Sequence, residues 1–209
     1  MVQPMSPTLY YAPMSSASPV LWALAELELE YEGKRLDLTG VAHKQPEYLA
    51  LNPMGQVPAL VDNGQAMFES SACMIYLGEK YGVAKGVWPE VGSPAHMVAL
   101  TWLNWAAVSV GGTLRQLFAS GGDHAPPEMH CKPINDYARE QFGNLMLVLE
   151  GHLRDREYIA GAFSLTDAYV AASLGWSTGV VGFDLASAPN LKAWLGRCMT
   201  RPAAAVMNP

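Results

Sequence analysis

Residues 43 to 77, HKQPEYLALNPMGQVPALVDNGQAMFESSACMIYL, gather groups whose types and spacing suit the capture of a small peptide. Val57-Pro58 stands where an apolar strand begins. A proline there cannot extend a central ladder, so the sequence predicts a cis bond that leaves the Val57 backbone open at a strand edge. An extended peptide can pair with such groups by strand addition. Glu69-Ser70 opens a helix, where unpaired N–H groups and the positive end of the helix dipole favour a carboxylate. The Ser70 hydroxyl can donate to that carboxylate, and Glu69 can hold an ammonium. His43, Lys44 and Gln56 supply donors for a second carboxylate at the other end of the peptide. The implied ligand carries two carboxylates and one amine. Singly, each feature also has a plainer reading: Glu69-Ser70 as an ordinary helix start, Pro58 as the beginning of a strand, His43-Lys44 as a solvated face.

Particular elements must hold these groups. Thr8 to Ala12 reads as a short strand of β-branched and aromatic residues, followed by Pro13 and a Ser-rich turn. A helix over residues 18–29 has Pro19 in its first turn and an apolar face of Leu21, Trp22, Leu24 and Ala25. Tyr31 to Leu38 alternates as a second strand, Pro46 to Leu51 suggests a short helix, and Val57 to Val61 reads as a buried third strand. Asp62-Asn63-Gly64 is a hairpin turn, Ala66 to Phe68 the returning strand, and Glu69 to Tyr81 a helix ended by Gly82.

From Ser93, an N-cap ahead of Pro94, long helices replace strands. The pattern predicts helices over 93–120 with a kink at Gly111-Gly112, over 134–154, from the capping sequence Ser164-Leu165-Thr166-Asp167 to Ser177, and over 189–199. GGDHAPPEMHCKP, residues 121–133, is a loop. The expected organisation is therefore an extension at 1–7, an α/β unit at 8–82, a linker at 83–92 and an all-helical unit at 93–209.

Half of the 209 residues are apolar, enough for a sizeable core. A net charge of −6, with 13 basic residues scattered singly, leaves no footprint for nucleic acid or an anionic membrane. No uninterrupted apolar run reaches the ~18 residues of a membrane span, and the start MVQPMSPTLYY lacks the regions of a signal peptide, so the cytoplasm is the expected compartment. Three separated cysteines, Cys73, Cys131 and Cys198, argue against a disulfide framework. His124, His130 and Cys131 lack a recognised ligand spacing, and no metal is expected.

The segment resembles the glutathione-binding half of the soluble glutathione transferases, whose pattern NP-x-G-x-VP-x-L followed by E-S stands here as Asn52-Pro53, Gly55, Val57-Pro58, Leu60 and Glu69-Ser70. His43-Lys44 with Gln56, and the first strand and turn LYYAPMSSASPVLWALAEL, are similar to the serine-type phi class, near the theta-like and bacterial members. The resemblance covers nearly the whole chain, AFSLTDAYVA at 162–171 matching the helical half's capping motif. It implies a thioredoxin-like domain (βαβ, a linking helix, ββα) followed by an all-α domain, a homodimer, and glutathione as co-substrate.

By the same resemblance Ser15 is the activating serine, with Ser16 its rival, and Ser16, His43, Lys44, Gln56, Val57, Pro58, Glu69 and Ser70 bind glutathione. Trp102, Trp105 and Ser109 have a core-like spacing, but family geometry puts part of their helix beside the electrophile, which makes Trp105 and Ser109 candidates for that pocket. The implied reaction is attack by the glutathione thiolate on a small apolar electrophile. Ser15 and Ser16 also suit a plain turn and helix cap. Ser18-Pro19-Val20 replaces an arginine common in phi and zeta members, Glu69-Ser70-Ser71 replaces E-S-R, and Ser15-Ser16-Ala17 replaces the zeta S-S-C, which argues against isomerase chemistry. A glutathione-dependent oxidoreductase or peroxidase would need a cysteine at residues 13–19, where there is none; a non-catalytic binder of glutathione or a partner protein is the further alternative.

Overall fold

The computed structural model describes residues 6–121 and 125–207. Four short strands, β1 (Thr8–Tyr11), β2 (Glu32–Arg35), β3 (Ala59–Asp62) and β4 (Gln65–Phe68), form one sheet in the order β2-β1-β3-β4. β1 runs parallel to β2 and antiparallel to β3, and β3 antiparallel to β4. The parallel pair needs a crossover, supplied by α1 (Ser18–Glu26), whereas β3 and β4 are joined by Asn63-Gly64 alone. Both turn residues have positive φ, 49° and 76°, the twist a two-residue hairpin requires. The βαβ then ββα order is the thioredoxin-like arrangement expected of the sequence.

After the short helix α2 (Pro46–Leu49) and the hairpin comes α3 (Ser70–Leu77), which widens into a π-type turn over 78–82. Asp62 fastens the hairpin to it: one buried carboxylate oxygen accepts from Tyr76 Oη at 2.8 Å, Lys80 Nζ at 2.7 Å and Tyr81 Oη at 2.8 Å. The segment expected to be a linker is tightly seated. Trp88 is buried against Gly78, where a Cβ would lie 2.4 Å from the indole.

The remaining helices are α4 (Pro94–Trp105), α5 (Gly111–Ser120), α6 (Lys132–His152), α7 (Leu165–Val181) and α8 (Pro189–Met199). One large core cluster runs through both halves, from Trp22 and Leu24 of α1 and Met74 of α3 to Leu103, Phe142, Leu174 and Trp194, and a smaller one gathers Ala12, Ala17, Tyr48, Val57 and Ala59. At the head of α7 the expected capping box is present, and Asp167, wholly buried, also accepts from Ile159 N–H and Trp194 Nε1–H.

Several expectations are corrected. A π-type turn at Ala106–Val110 directly precedes Gly111-Gly112, and the helical path is continuous from Pro94 to Ser120. That stretch holds an 18-residue window of mean hydropathy 1.3, long and apolar enough to cross a membrane. Looking for uninterrupted apolar runs missed it, because isolated polar residues such as Thr101 and Asn104 break the run without lowering the average far. Its buried positions, among them Ala99, Leu103, Val110, Leu114 and Leu117, belong to the common core. α6 begins two residues earlier than expected and α7 ends four later, β2 is shorter, and β3 starts at Ala59 instead of Val57. His124 and most of the N-terminal extension lie outside the described residues.

The C-terminal segment is clasped to α1. Arg201 donates through Nε and Nη2 to the two oxygens of Glu26 at 2.6 and 2.7 Å, its guanidinium lies 3.6 Å from the Phe163 ring centroid, and Glu26 also accepts from Trp22 Nε1 at 2.9 Å. Glu26 is almost fully buried and Arg201 about a third exposed. Arg201→Ala leaves a buried carboxylate with one donor and is expected to cost about 2 kcal/mol, between the values for exposed and buried pairs. Urea unfolding measures it; a midpoint unchanged from wild type contradicts the clasp.

Candidate functional site

A cavity of about 580 Å³ opens between the strand ends and the helices that follow them. Its wall takes the turn after β1 (Met14, Ser15, Ser16), the loop before β3 (Met54, Gln56, Val57, Pro58), the head of α3 (Glu69, Ser70, Ser71), and small or apolar faces of the long helices.

The loop before β3 owes its shape to Asn52. This buried amide donates to Gln56 O at 2.7 Å and Pro58 O at 3.3 Å and accepts from Met54 N–H at 3.0 Å, while Tyr48 Oη donates to Gln56 O at 2.5 Å. The Val57-Pro58 bond is cis, as the sequence predicts. Gly55 is required: its φ is 58°, and a Cβ would meet His43 O at 2.7 Å and Lys44 Nζ at 2.8 Å. Lys44 Nζ already donates to Met54 O at 3.3 Å and Gly55 O at 3.1 Å, and His43 Nδ1 is buried without a partner among the described residues. Both residues sit beside the loop on the turn Ala42–Lys44 and outside the cavity wall, whereas Gln56 is in it.

In the first turn Ser15 Oγ donates to Ala12 O at 2.7 Å and accepts from Ala17 N–H at 3.2 Å. Ser16 Oγ donates to Val57 O at 2.6 Å, tying this turn to the loop across the cavity floor. At α3, Glu69 caps the helix through its backbone with φ at 68°, a left-handed conformation rare for a residue with a side chain. The first N–H groups of the helix have no partner within it, and such groups can receive an anion. Ser70 is buried, its hydroxyl 3.4 Å from Tyr169 Oη of α7, and burial raises the Tyr169 phenol above its usual range.

Trp105 and Ser109, expected in the electrophile pocket, are not in the wall. Trp105 meets Trp102 edge-on with centroids 4.9 Å apart, and the Ser109 carbonyl accepts from Thr113 Oγ1 at 2.9 Å. Ala106, Ala107, Val110, Gly111, Leu114 and Arg115 line the cavity in their place. Asn52, Tyr169 and Arg115 are the residues that sequence reasoning missed as site components. Asn52 was legible only as part of a motif, and Tyr169 lies 99 residues from the serine it touches.

No cysteine lines the cavity. Cys73 and Cys198 are fully buried, which pushes the Cys73 thiol up to about 12 and raises that of Cys198 as well. Native protein is therefore expected to react quickly with a thiol reagent at Cys131 alone, and at all three thiols once denatured. Rapid native labelling of Cys73 or Cys198, located by peptide mapping, contradicts this. Among the described residues no cluster of three or more potential metal ligands occurs.

Comparison with known proteins accords with this geometry. Residues 5–79 match the family description "Glutathione S-transferase, N-terminal domain" and residues 124–202 "Glutathione S-transferase, C-terminal domain". Glutathione S-transferase 3 of Zea mays is 34% identical, the match covering 93% of this chain and 90% of the maize protein. Among solved structures, a sphingomonad glutathione S-transferase complexed with glutathione is 28% identical with a TM-score of 0.82, covering 96% of both chains. The glutathione transferase URE2P6 of Phanerochaete chrysosporium, in complex with oxidized glutathione, is 27% identical with a TM-score of 0.84, covering 97% of this chain and 94% of that one. With its mixed four-stranded sheet, its helical second half and an extended match to the maize enzyme, this chain belongs to the glutathione S-transferase family of enzymes.

Proposed function

We propose that the chain binds glutathione in this cavity, activates its thiol through the Ser15 hydroxyl, and transfers the sulfur to a small apolar electrophile. The observation that carries the reading is the convergence on one void of a hydroxyl turn, the Val57-Pro58 segment and a helix start. In this reading the cysteinyl backbone pairs with Val57 ahead of Pro58, and the γ-glutamyl carboxylate meets the α3 N–H groups and Ser70. Glu69 takes the ammonium, and His43, Lys44 and Gln56 face the glycyl carboxylate.

Ser15 is favoured over Ser16 by its surroundings. The Ala17 N–H donated to Ser15 Oγ polarises that hydroxyl, and rotation away from Ala12 O turns its proton toward a bound sulfur. Ser16 has no such donor among the described residues and spends its proton on Val57 O, which suits it to position the turn. The thiol proton leaves to water, the thiolate forms a bond to carbon, and a halide departs with the bonding pair; with an epoxide or enal the pair stays on oxygen or carbon and is then protonated. An oxidoreductase acting through a mixed disulfide is disfavoured by the lack of a cysteine in the wall. The reading extends to a homodimer in the cytoplasm, consistent with three unpaired cysteines and with Met97 and Val108 about two-thirds exposed on the outer side of the long helix.

The test is glutathione-dependent arylation of 1-chloro-2,4-dinitrobenzene, followed by absorbance and repeated with epoxide and enal substrates. Saturable turnover that needs glutathione is expected. Tight glutathione binding with no turnover across that panel would instead favour the non-catalytic reading.

A further inference from the structure

Among the described residues only two charged side chains line the cavity, Glu69 and Arg115, and neither makes an ion pair there. Arg115, one turn beyond Gly111 on α5, is exposed and makes no hydrogen bond among the described residues that would fix its guanidinium elsewhere. Trp176 of α7 is also part of the wall, and its ring meets that of Phe118, three residues along α5 from Arg115, with centroids 5.1 Å apart. An aromatic plate and an unpaired planar cation thus stand on the side of the wall built by the long helices, among Ala106, Ala107, Val110, Leu114 and Ala172.

We infer that the electrophile is an anion, an aryl or other flat apolar group bearing a carboxylate or sulfonate that Arg115 holds. The inference rests on the glutathione reading in one respect. Glutathione's two carboxylates are met by the α3 start and by His43, Lys44 and Gln56, and its ammonium by Glu69, so Arg115 has no partner left on that ligand. The guanidinium fork matches a carboxylate in two parallel hydrogen bonds, and an unpaired arginine at a partly apolar wall gains most from a ligand that brings the opposite charge. The chain as a whole carries −6 and repels anions, so selection of an anionic substrate requires a local cation of this kind.

The experiment compares two matched pairs of probes in wild type and Arg115→Gln, a change at an exposed position. Equilibrium dialysis of 3,5-dinitrobenzoate and 1,3-dinitrobenzene reports the cavity's preference whether or not catalysis occurs. Rates with 4-chloro-3,5-dinitrobenzoate and 1-chloro-2,4-dinitrobenzene report it during transfer, and glutathione affinity is measured alongside by calorimetry. Wild type is expected to favour the benzoate of each pair, with Arg115→Gln losing about tenfold on the benzoates and less than about twofold on the neutral probes and on glutathione. Equal losses on charged and neutral probes, or a loss confined to glutathione, overturn the inference. An anion preference that Arg115→Gln abolishes in dialysis, with no transfer detected in either protein, upholds the anion site while rejecting the transferase activity.

Discussion

Ser15→Ala is expected to lower turnover at about pH 6.5 by roughly 10- to 150-fold while glutathione still binds, the range that a charge-assisted hydrogen bond of about 1.5–3 kcal/mol supports. The sign of the pH dependence follows from the chemistry. A free thiol titrates near 8.5, and a hydroxyl that donates to the anion lowers the value for bound glutathione. Removing the donor raises it again, so the deficit is largest at low pH and shrinks as pH rises through about 8.5, where water alone makes the thiolate. Thiolate absorbance of the bound ligand against pH, run beside turnover, measures both. A small stability loss of about 1 kcal/mol accompanies the change, because Ser15 Oγ also bridges Ala12 O and Ala17 N–H. Unchanged turnover, or a deficit equal at every pH, contradicts the role given to Ser15. Ser16→Ala is then the variant to examine.

The largest effect on stability is expected from Asp167→Ala. The carboxylate accepts from Ile159 N–H at 2.9 Å, Ser164 N–H at 2.9 Å, Ser164 Oγ at 3.0 Å and Trp194 Nε1 at 2.9 Å, with no exposed surface. These donors come from the segment before α7, from its cap and from α8, so one side chain joins three pieces of the helical half. Truncation leaves them buried and unpaired together, and the expected cost is about 4 kcal/mol. Ser164→Ala removes one cap side chain, with its single hydrogen bond to the Asp167 carboxylate, and is expected to cost about 1 kcal/mol. Urea midpoints of both variants make the comparison, and glutathione affinity of the folded fraction should be unchanged, since Asp167 is not in the cavity wall. An Asp167→Ala midpoint no lower than that of Ser164→Ala contradicts the account.

What could be read from the sequence was what local chemistry decides. Asn63-Gly64 announces a hairpin because few other pairs tolerate two positive φ angles, and Ser164 with Asp167 announces a helix start because the cap lies within one turn. The Val57-Pro58 bond and the break before α3 were legible for the same reason. Features settled by tertiary contact were not. The Ser70–Tyr169 contact, the three donors on Asp62 and the Arg201–Glu26 clasp join residues separated by up to 175 positions, and no periodicity encodes them. The cavity wall on the long helix was misread by choosing side chains of chemical interest, Trp105 and Ser109. The π-type turn at Ala106–Val110 shifts the phase of the face that follows, which brings Val110, Gly111, Leu114 and Arg115 to the wall.

The central claim is that the Val57 edge and the α3 start form a glutathione site, and it is tested most directly by calorimetric titration of the purified chain with glutathione beside Ser70→Ala. The account predicts saturable binding with one glutathione per chain, and affinity about tenfold weaker in Ser70→Ala through loss of one hydrogen bond to a carboxylate. Absence of saturable binding to the folded wild-type chain, or equal affinity in the two proteins, would contradict it.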